Sequence, residues 1–143
     1  MYHALVAARV RGLWRRIETD GFEVAVRQAT PGMTFTFVGD TPLGARLTGR
    51  EEFRGWFERA VALLPGLRIS AEDVTVAGPP WNTRVAVRLA VRATLRDGTV
   101  YTNQGVQWIR LRWGRLVDDW VLEDTLALAR ACAVQQAEPV RPT

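Results

Sequence analysis

The chain has 143 residues, of which 48% are hydrophobic and 24% charged, with a formal net charge of +4. A domain of this size buries roughly two-thirds of its unfolded surface, so it needs no covalent or metal staple. One cysteine, Cys132, rules out an internal disulfide, and no histidine–cysteine cluster offers a metal site. All 19 basic residues are arginine, spread along the chain among acidic residues as in EEFRGWFER and DDWVLED. A nucleic-acid footprint is a concentrated basic patch, so no nucleic-acid partner is expected. The opening MYHALVAARVRGLWRR carries arginines throughout and lacks the apolar run and small-residue cleavage site of a signal peptide. No stretch approaches the ~20 apolar residues of a membrane helix. A cytoplasmic protein without a membrane partner is expected, and His3 reads as a solvated or capping residue.

Residues 4–18 place Leu5, Ala8, Leu13 and Ile17 near one helical face, with Arg9, Arg11, Arg15 and Arg16 largely opposite. Gly21 ends or bends that helix. A short helical piece, FEVAVRQA, stops before Pro31, and MTFTFVGD then alternates in the period of a strand. The stretch TPLGARLTG is turn-rich, and Thr48 is placed to cap the next helix, REEFRGWFERAVALL, which Pro65-Gly66 terminates.

The remainder reads as strand. LRISAEDVTVAG closes at the GPP turn. In RVAVRLAVRATLR, Val85, Val87, Leu89, Val91, Ala93 and Leu95 share one face, while Arg84, Arg88, Arg92 and Arg96 share the other. Asp97-Gly98 signals a hairpin. VYTNQGVQWIRLR follows, then a turn at Trp113-Gly114, then RLVDDWVLED and a helical turn in DTLALARACA. Asp124 opens this tail as a turn-forming residue. Residues 134–143 are expected to fray, and the whole chain, 1–143, reads as one domain. Helices, a strand, a helix and a long antiparallel meander make an α+β protein with helices on one side of the sheet.

Two segments carry a family resemblance. GDTPLGARLTGREEFRGWF and RLRWGRLVDDWVLED resemble the loop-to-helix passage and the final hairpin of the nuclear transport factor 2-like superfamily, over roughly residues 4–130. That superfamily includes ketosteroid isomerases, SnoaL-like polyketide cyclases and limonene epoxide hydrolases. The resemblance implies a cone-shaped, curved, mostly antiparallel sheet wrapped over N-terminal helices and enclosing a pocket. The family's individual chemistries map unevenly. Asp40 stands nine residues before Gly49, as the base aspartate of ketosteroid isomerases does before its loop glycine; an aspartate opening a turn is the structural alternative. The isomerase tyrosine position falls near Leu13 and Trp14, and its oxyanion aspartate position on Gln107. The epoxide hydrolase pair falls on Arg88 and Ala90, and the last-strand aspartate of hydrolases and cyclases on Val121. Steroid isomerase and epoxide hydrolase activities are therefore not expected.

The family's facing pattern turns Asp119, Val121 and Glu123 into the cone, leaving Trp120 and Leu122 outside. A single bulge would invert that register, so both faces stay open at this point. With Arg110 and Arg112 in water, Tyr101, Asn103, Gln107, Ile109 and Leu111 face in. The expected acid–base groups are Asp40, Asp119 and Glu123, converging on one cavity floor. The expected ligand contacts are Trp14, Trp56, Tyr101, Asn103 and Gln107, with core packing the other role for each tryptophan. No metal and no cofactor is implied. Trp108, Trp120 and Leu122 beside the arginine row suggest a homodimer through the sheet. The expectation is a small-molecule pocket protein of SnoaL-like type: if an enzyme, a cofactor-independent isomerase or cyclase using carboxylate acid–base chemistry on an apolar cyclic or polyketide-like substrate. The other reading is a non-catalytic ligand-binding or dimeric interaction module.

Overall fold

The computed structural model describes residues 1–137. Three helices and a short edge hairpin precede a long meander: α1 (Tyr2–Asp20), α2 (Glu23–Gln28), β1 (Ala29–Phe37), β2 (Ala45–Thr48), α3 (Arg50–Leu63), β3 (Arg68–Ala77), β4 (Thr83–Thr94), β5 (Val100–Arg112), β6 (Arg115–Glu123) and α4 (Thr125–Gln136). Among the described residues, six strands form one sheet in the order β2-β1-β6-β5-β4-β3. Of its neighbouring pairs, only β1 and β6 run parallel; every other pair is antiparallel. This is the expected α+β architecture.

The alternation of β4 is what sets the faces. Val85, Val87, Leu89, Val91, Ala93 and Leu95 are all buried on the concave side, whereas Arg88, Arg92 and Arg96 are exposed on the convex side. Register shifts in β3 after Ala71, between Arg110 and Leu111 in β5, and between Ala29 and Thr34 in β1 interrupt the ladders. Such bulges bend strands and increase twist, which lets the sheet wrap around α1. Rings from β1 and α3 close the far end: Phe35, Phe37, Phe53, Trp56 and Phe57 sit with centroids 4.7–5.3 Å apart. Aromatic pairs in this range add about 0.5–1.5 kcal/mol each beyond area burial.

Several local expectations are corrected. The buried stripe of α1 is Val6, Val10, Trp14 and Ile17, so it is rotated from the one expected. Leu5 is 64% exposed and Ala8 is exposed, because the two valines and the large Trp14, at i, i+4 and i+8, occupy the contact with the sheet. The strand expected from Met33 begins at Ala29, and Pro31, which has no N–H to donate, falls within the stretch where its pairing with β6 shifts. Within the turn-rich segment, Ala45–Thr48 pairs with Thr34–Phe37 as β2. Gly49, not Thr48, is the N-cap of α3: the entry needs φ +92°, where a side chain is strained. Thr48 instead donates its backbone N–H to Glu52 Oε2 at 2.8 Å, in the manner of the return bond of a capping box. At the other end, α4 continues through Gln136, so residues 134–136 of the segment expected to fray are helical, and Val134 packs against the core. The rest of that expected tail, from residue 138 on, lies outside the described residues. Among the described residues, no helix is long and apolar enough to cross a membrane.

Candidate functional site

Between α1 and the concave face of β5 and β6 lies a cavity of about 400 Å³. Its walls are apolar, with Val10, Leu13, Ile17, Phe57, Ile109 and Leu116 among them. Three polar side chains meet against this lining in a chain of hydrogen bonds. Trp14 Nε1 donates to Gln107 Oε1 at 3.2 Å, and Gln107 Nε2 donates to Asp119 Oδ1 at 3.0 Å. Each position follows from local structure. Trp14 belongs to the buried stripe of α1, Gln107 lies two residues before Ile109 on the inward face of β5, and Asp119 pairs across from Ile109 on β6.

The direction of this relay is fixed. An indole N–H can only donate, so it selects the oxygen end of the Gln107 amide and leaves the NH₂ group toward Asp119. One amide hydrogen goes to Asp119 Oδ1, and no second acceptor for Gln107 Nε2 is found among the described residues. Asp119 is 4% exposed. Desolvation pushes its pKa up to about 7; the Gln107 hydrogen bond works against that rise, and the neighbouring Asp118 charge adds to it. The group is thus poised to lose or gain a proton near neutrality, which is where general acid–base catalysts operate best.

Among the other expected residues, Glu123 faces inward, like Asp119, but four residues further along β6. At about 3.3 Å per residue this places the two carboxylates roughly 13 Å apart along the strand, with Val121 between them. Glu123 belongs to a second cluster. It pairs across from Gly105, where a Cβ would lie 2.8 Å from Glu123 Cγ, so the glycine makes room for the glutamate. Asn103 Nδ2 reaches Glu123 Oε1 at 3.4 Å, the Tyr101 hydroxyl at 2.7 Å and the Asp124 carbonyl at 3.0 Å. Burial raises the Glu123 pKa to about 7, and also raises those of Tyr101 and of Cys132 on α4. None of Tyr101, Asn103 and Glu123 lines the cavity.

Two further residues are also placed apart from it. Trp56 is buried in the aromatic cluster, its Nε1 donating to the Leu43 carbonyl at 2.8 Å. Asp40 is exposed on the loop between β1 and β2. That loop is held by the Gly44 N–H to the Thr41 carbonyl and lies against Thr125 at the start of α4, on which a Cβ at Gly39 would impinge. Three carboxylates therefore do not converge on one floor. Asp124, as expected, is a backbone-binding residue, accepting from Leu126 N and Ala127 N as the N-cap of α4.

The cavity also has residues that sequence reasoning leaves out. Helical periodicity puts Arg9 on the solvent face of α1, yet it borders the cavity mouth with Trp113 and Gly114 of the β5–β6 turn. The available signal is the Trp-Gly turn itself. Trp113 adopts φ +50°, uncommon for a bulky residue, and its ring stays 68% exposed.

Comparison with known proteins bears on the fold. A nuclear transport factor 2-like protein of unknown function from Burkholderia pseudomallei superposes with a TM-score of 0.74 at 21% identity, covering 86% of this chain and 93% of that one. A protein with a ketosteroid isomerase-like fold from Catenulispora acidiphila, in complex with trimethylamine, gives 0.71 at 16% identity, covering 90% and 95%. TerC, co-crystallised with polyporic acid, gives 0.72 at 19% identity, covering 84% and 92%. Among curated proteins, none matches the chain. The model of the SnoaL-like domain matches residues 10–119, well over half of the sequence. The chain belongs to the SnoaL-like domain family and has a nuclear transport factor 2-like fold.

Proposed function

We propose that this protein is a cofactor-independent acid–base enzyme of the isomerase or cyclase type, acting on an apolar cyclic or polyketide-like molecule held in the cavity. One observation carries the reading: a carboxyl group with a pKa near 7, buried in an apolar cavity, whose hydrogen-bond partner is a neutral amide. A structural carboxylate is ordinarily matched by a cation or by several donors, because an unpaired buried charge is expensive. The relatives that hold polyporic acid and trimethylamine support a small-molecule occupant.

In the proposed step, Asp119 Oδ2 takes a proton from a carbon beside a ligand carbonyl. The C–H electron pair moves into the carbonyl, and the second Gln107 N–H donates to the resulting enolate oxygen. Isomerisation, on a ligand whose enolate is conjugated with a C=C bond, returns the proton from Asp119 to the far carbon of that dienolate. Cyclisation instead joins the enolate carbon to a second carbonyl of the ligand, whose oxygen receives the Asp119 proton. Either route restores the ionised carboxylate and balances without an outside reagent. Trp14 is a positioning residue that fixes the Gln107 amide.

Proton abstraction can be tested before the substrate is known. In D₂O, the protein should accelerate deuterium incorporation beside the carbonyl of 2-tetralone, and Asp119→Asn should return the rate to that of buffer. Equal rates for the variant and the native protein would remove Asp119 from the mechanism. No acceleration by either, with 2-tetralone bound, would leave a ligand-binding module.

A second part of the reading concerns the convex face, where Val106, Trp108 and Leu122 are each 40–44% exposed on adjoining strands. Arg84 and Arg88 on β4 and Arg110 on β5 border these side chains. An apolar centre with a charged rim is the anatomy of a protein interface, and a homodimer through this face follows.

A further inference from the structure

The cavity mouth has a chemistry of its own. Of the side chains that line the cavity, Arg9 and Asp119 are the two that carry charge near neutrality. Asp119 is held largely neutral below pH 7, so under those conditions the charge in contact with the cavity is the Arg9 guanidinium. Arg9 Nη2 donates to Gln28 Oε1 at 2.9 Å. A guanidinium carries five N–H groups, and among the described residues no carboxylate pairs with this one. Its position is built from the opposite side as well. Gly114, at φ +77°, lies so close that a Cβ there would sit 2.7 Å from Arg9 Nη1. The β5–β6 turn thus brings its backbone up to a cation held across from it on α1. Beside this cation are exposed apolar surfaces: Leu5, 64% exposed, and Trp113, whose ring pairs with Trp81 at 6.1 Å.

We propose that the ligand is an apolar ring compound bearing one carboxylate, with the rings in the cavity and the carboxylate on Arg9 at the mouth. The planar guanidinium matches a carboxylate in a two-point hydrogen-bonded pair. The arrangement also gives the ligand a direction: the uncharged, reactive end goes in toward Gln107 and Asp119, and the charged end stays where water still reaches it. The opposite orientation would bury a carboxylate beside Asp119, which desolvation disfavours throughout and repulsion disfavours once Asp119 ionises.

This inference rests on the cavity being the ligand site and not on any turnover there. Its test compares two probes of one shape, 2-naphthoate and 2-naphthalenemethanol, binding to the full-length protein at pH 6 by calorimetry. Naphthoate should bind about fivefold more tightly than the alcohol, the size expected for a charge-assisted contact at a solvated rim. The preference should shrink in 0.5 M salt. Arg9→Gln should abolish it without changing affinity for the alcohol, and Arg9→Lys should keep part of it. Equal affinities in the native protein, a preference that survives Arg9→Gln, or failure of both probes to bind would overturn the proposal. If Asp119→Asn strengthens naphthoate while Arg9→Gln changes nothing, the carboxylate lies at the floor and the orientation is wrong. If naphthoate binding depends on Arg9 while Asp119→Asn keeps native deuterium exchange, the ligand class stands and the catalytic assignment falls.

Discussion

Replacing Asp119 with asparagine should make the protein more stable at alkaline pH. The carboxyl of Asp119 has an ordinary value of 3.8 and is pushed up to about 7 in the fold, chiefly by desolvation. The unfolded chain gives up this proton near pH 4, and the folded chain keeps it until about pH 7. Between those values the folded state holds the extra proton, so stability falls as pH rises, and the whole penalty is present above pH 7. A rise from 3.8 to about 7, at ~1.4 kcal/mol for each tenfold change in proton affinity, is worth about 4 kcal/mol. The asparagine of the variant has no charge to desolvate, and its carbonyl oxygen can still accept from Gln107 Nε2. The variant should therefore match the native protein near pH 4 and exceed it by up to about 4 kcal/mol at pH 8.5. For a domain of this size that corresponds to a rise in Tm of roughly 10 °C. Urea unfolding of both proteins from pH 4 to 8.5 measures the difference directly, because titrations common to both cancel. A difference that does not change with pH would mean that Asp119 ionises freely, and the acid–base reading would lose its foundation.

Glu123→Gln should also stabilise the protein above pH 7, by less than Asp119→Asn, and should leave deuterium exchange into 2-tetralone unchanged; loss of exchange would place Glu123 in the reactive site. Trp14→Phe removes the donor that orients Gln107, letting the amide turn its oxygen toward Asp119. An oxygen there favours the protonated acid, so ¹³C NMR should find the Asp119 pKa above its native value of about 7. An unchanged or lowered value would show that Trp14 does not fix the amide. Sedimentation of the native protein at micromolar concentration should give twice 16.0 kDa, and Trp108→Glu should give the monomer; a native monomer would refute the convex-face interface.

Much of the sheet was legible because its pattern is redundant. Along β4 and into Leu95, six apolar side chains occupy every second position, and every one of the six is buried. The glycines at turns with positive φ, such as Gly98 and Gly114, fix where the meander reverses. The inward face of β6 came only through the family resemblance, since alternation alone left both faces open. What alternation cannot give is distance along a strand. It put Asp119 and Glu123 on one face but said nothing of the strand length separating them. Spacing along a loop is weaker still: nine residues from Asp40 to Gly49 leave the loop's direction undetermined, and a turn through Thr41 and Gly44 keeps Asp40 outside. Helical facing failed for a different reason. Around α1, Leu5 and Val6 are both apolar, and only the fit of Trp14 against the sheet decides which of them is buried. The same rotation brings Arg9 from the expected solvent face to the rim of the cavity.

The two raised carboxyl groups on β6 show why burial alone does not identify a catalytic residue. Asp119 and Glu123 lie on one strand and one face, and desolvation lifts both to about pH 7. They differ in what stands opposite. The space over Gly105 is filled by the Glu123 side chain itself, and Asn103, Tyr101 and the start of α4 close around it. Glu123 is not among the residues that line the cavity. Opposite Asp119 there is room: the cavity, an amide whose orientation is enforced by an indole, and a mouth that carries a cation. A carboxyl held near its half-ionised point costs stability at either position. Only at Asp119 does that cost come with access to a ligand, and access, more than the pKa, distinguishes a candidate base from a structural acid.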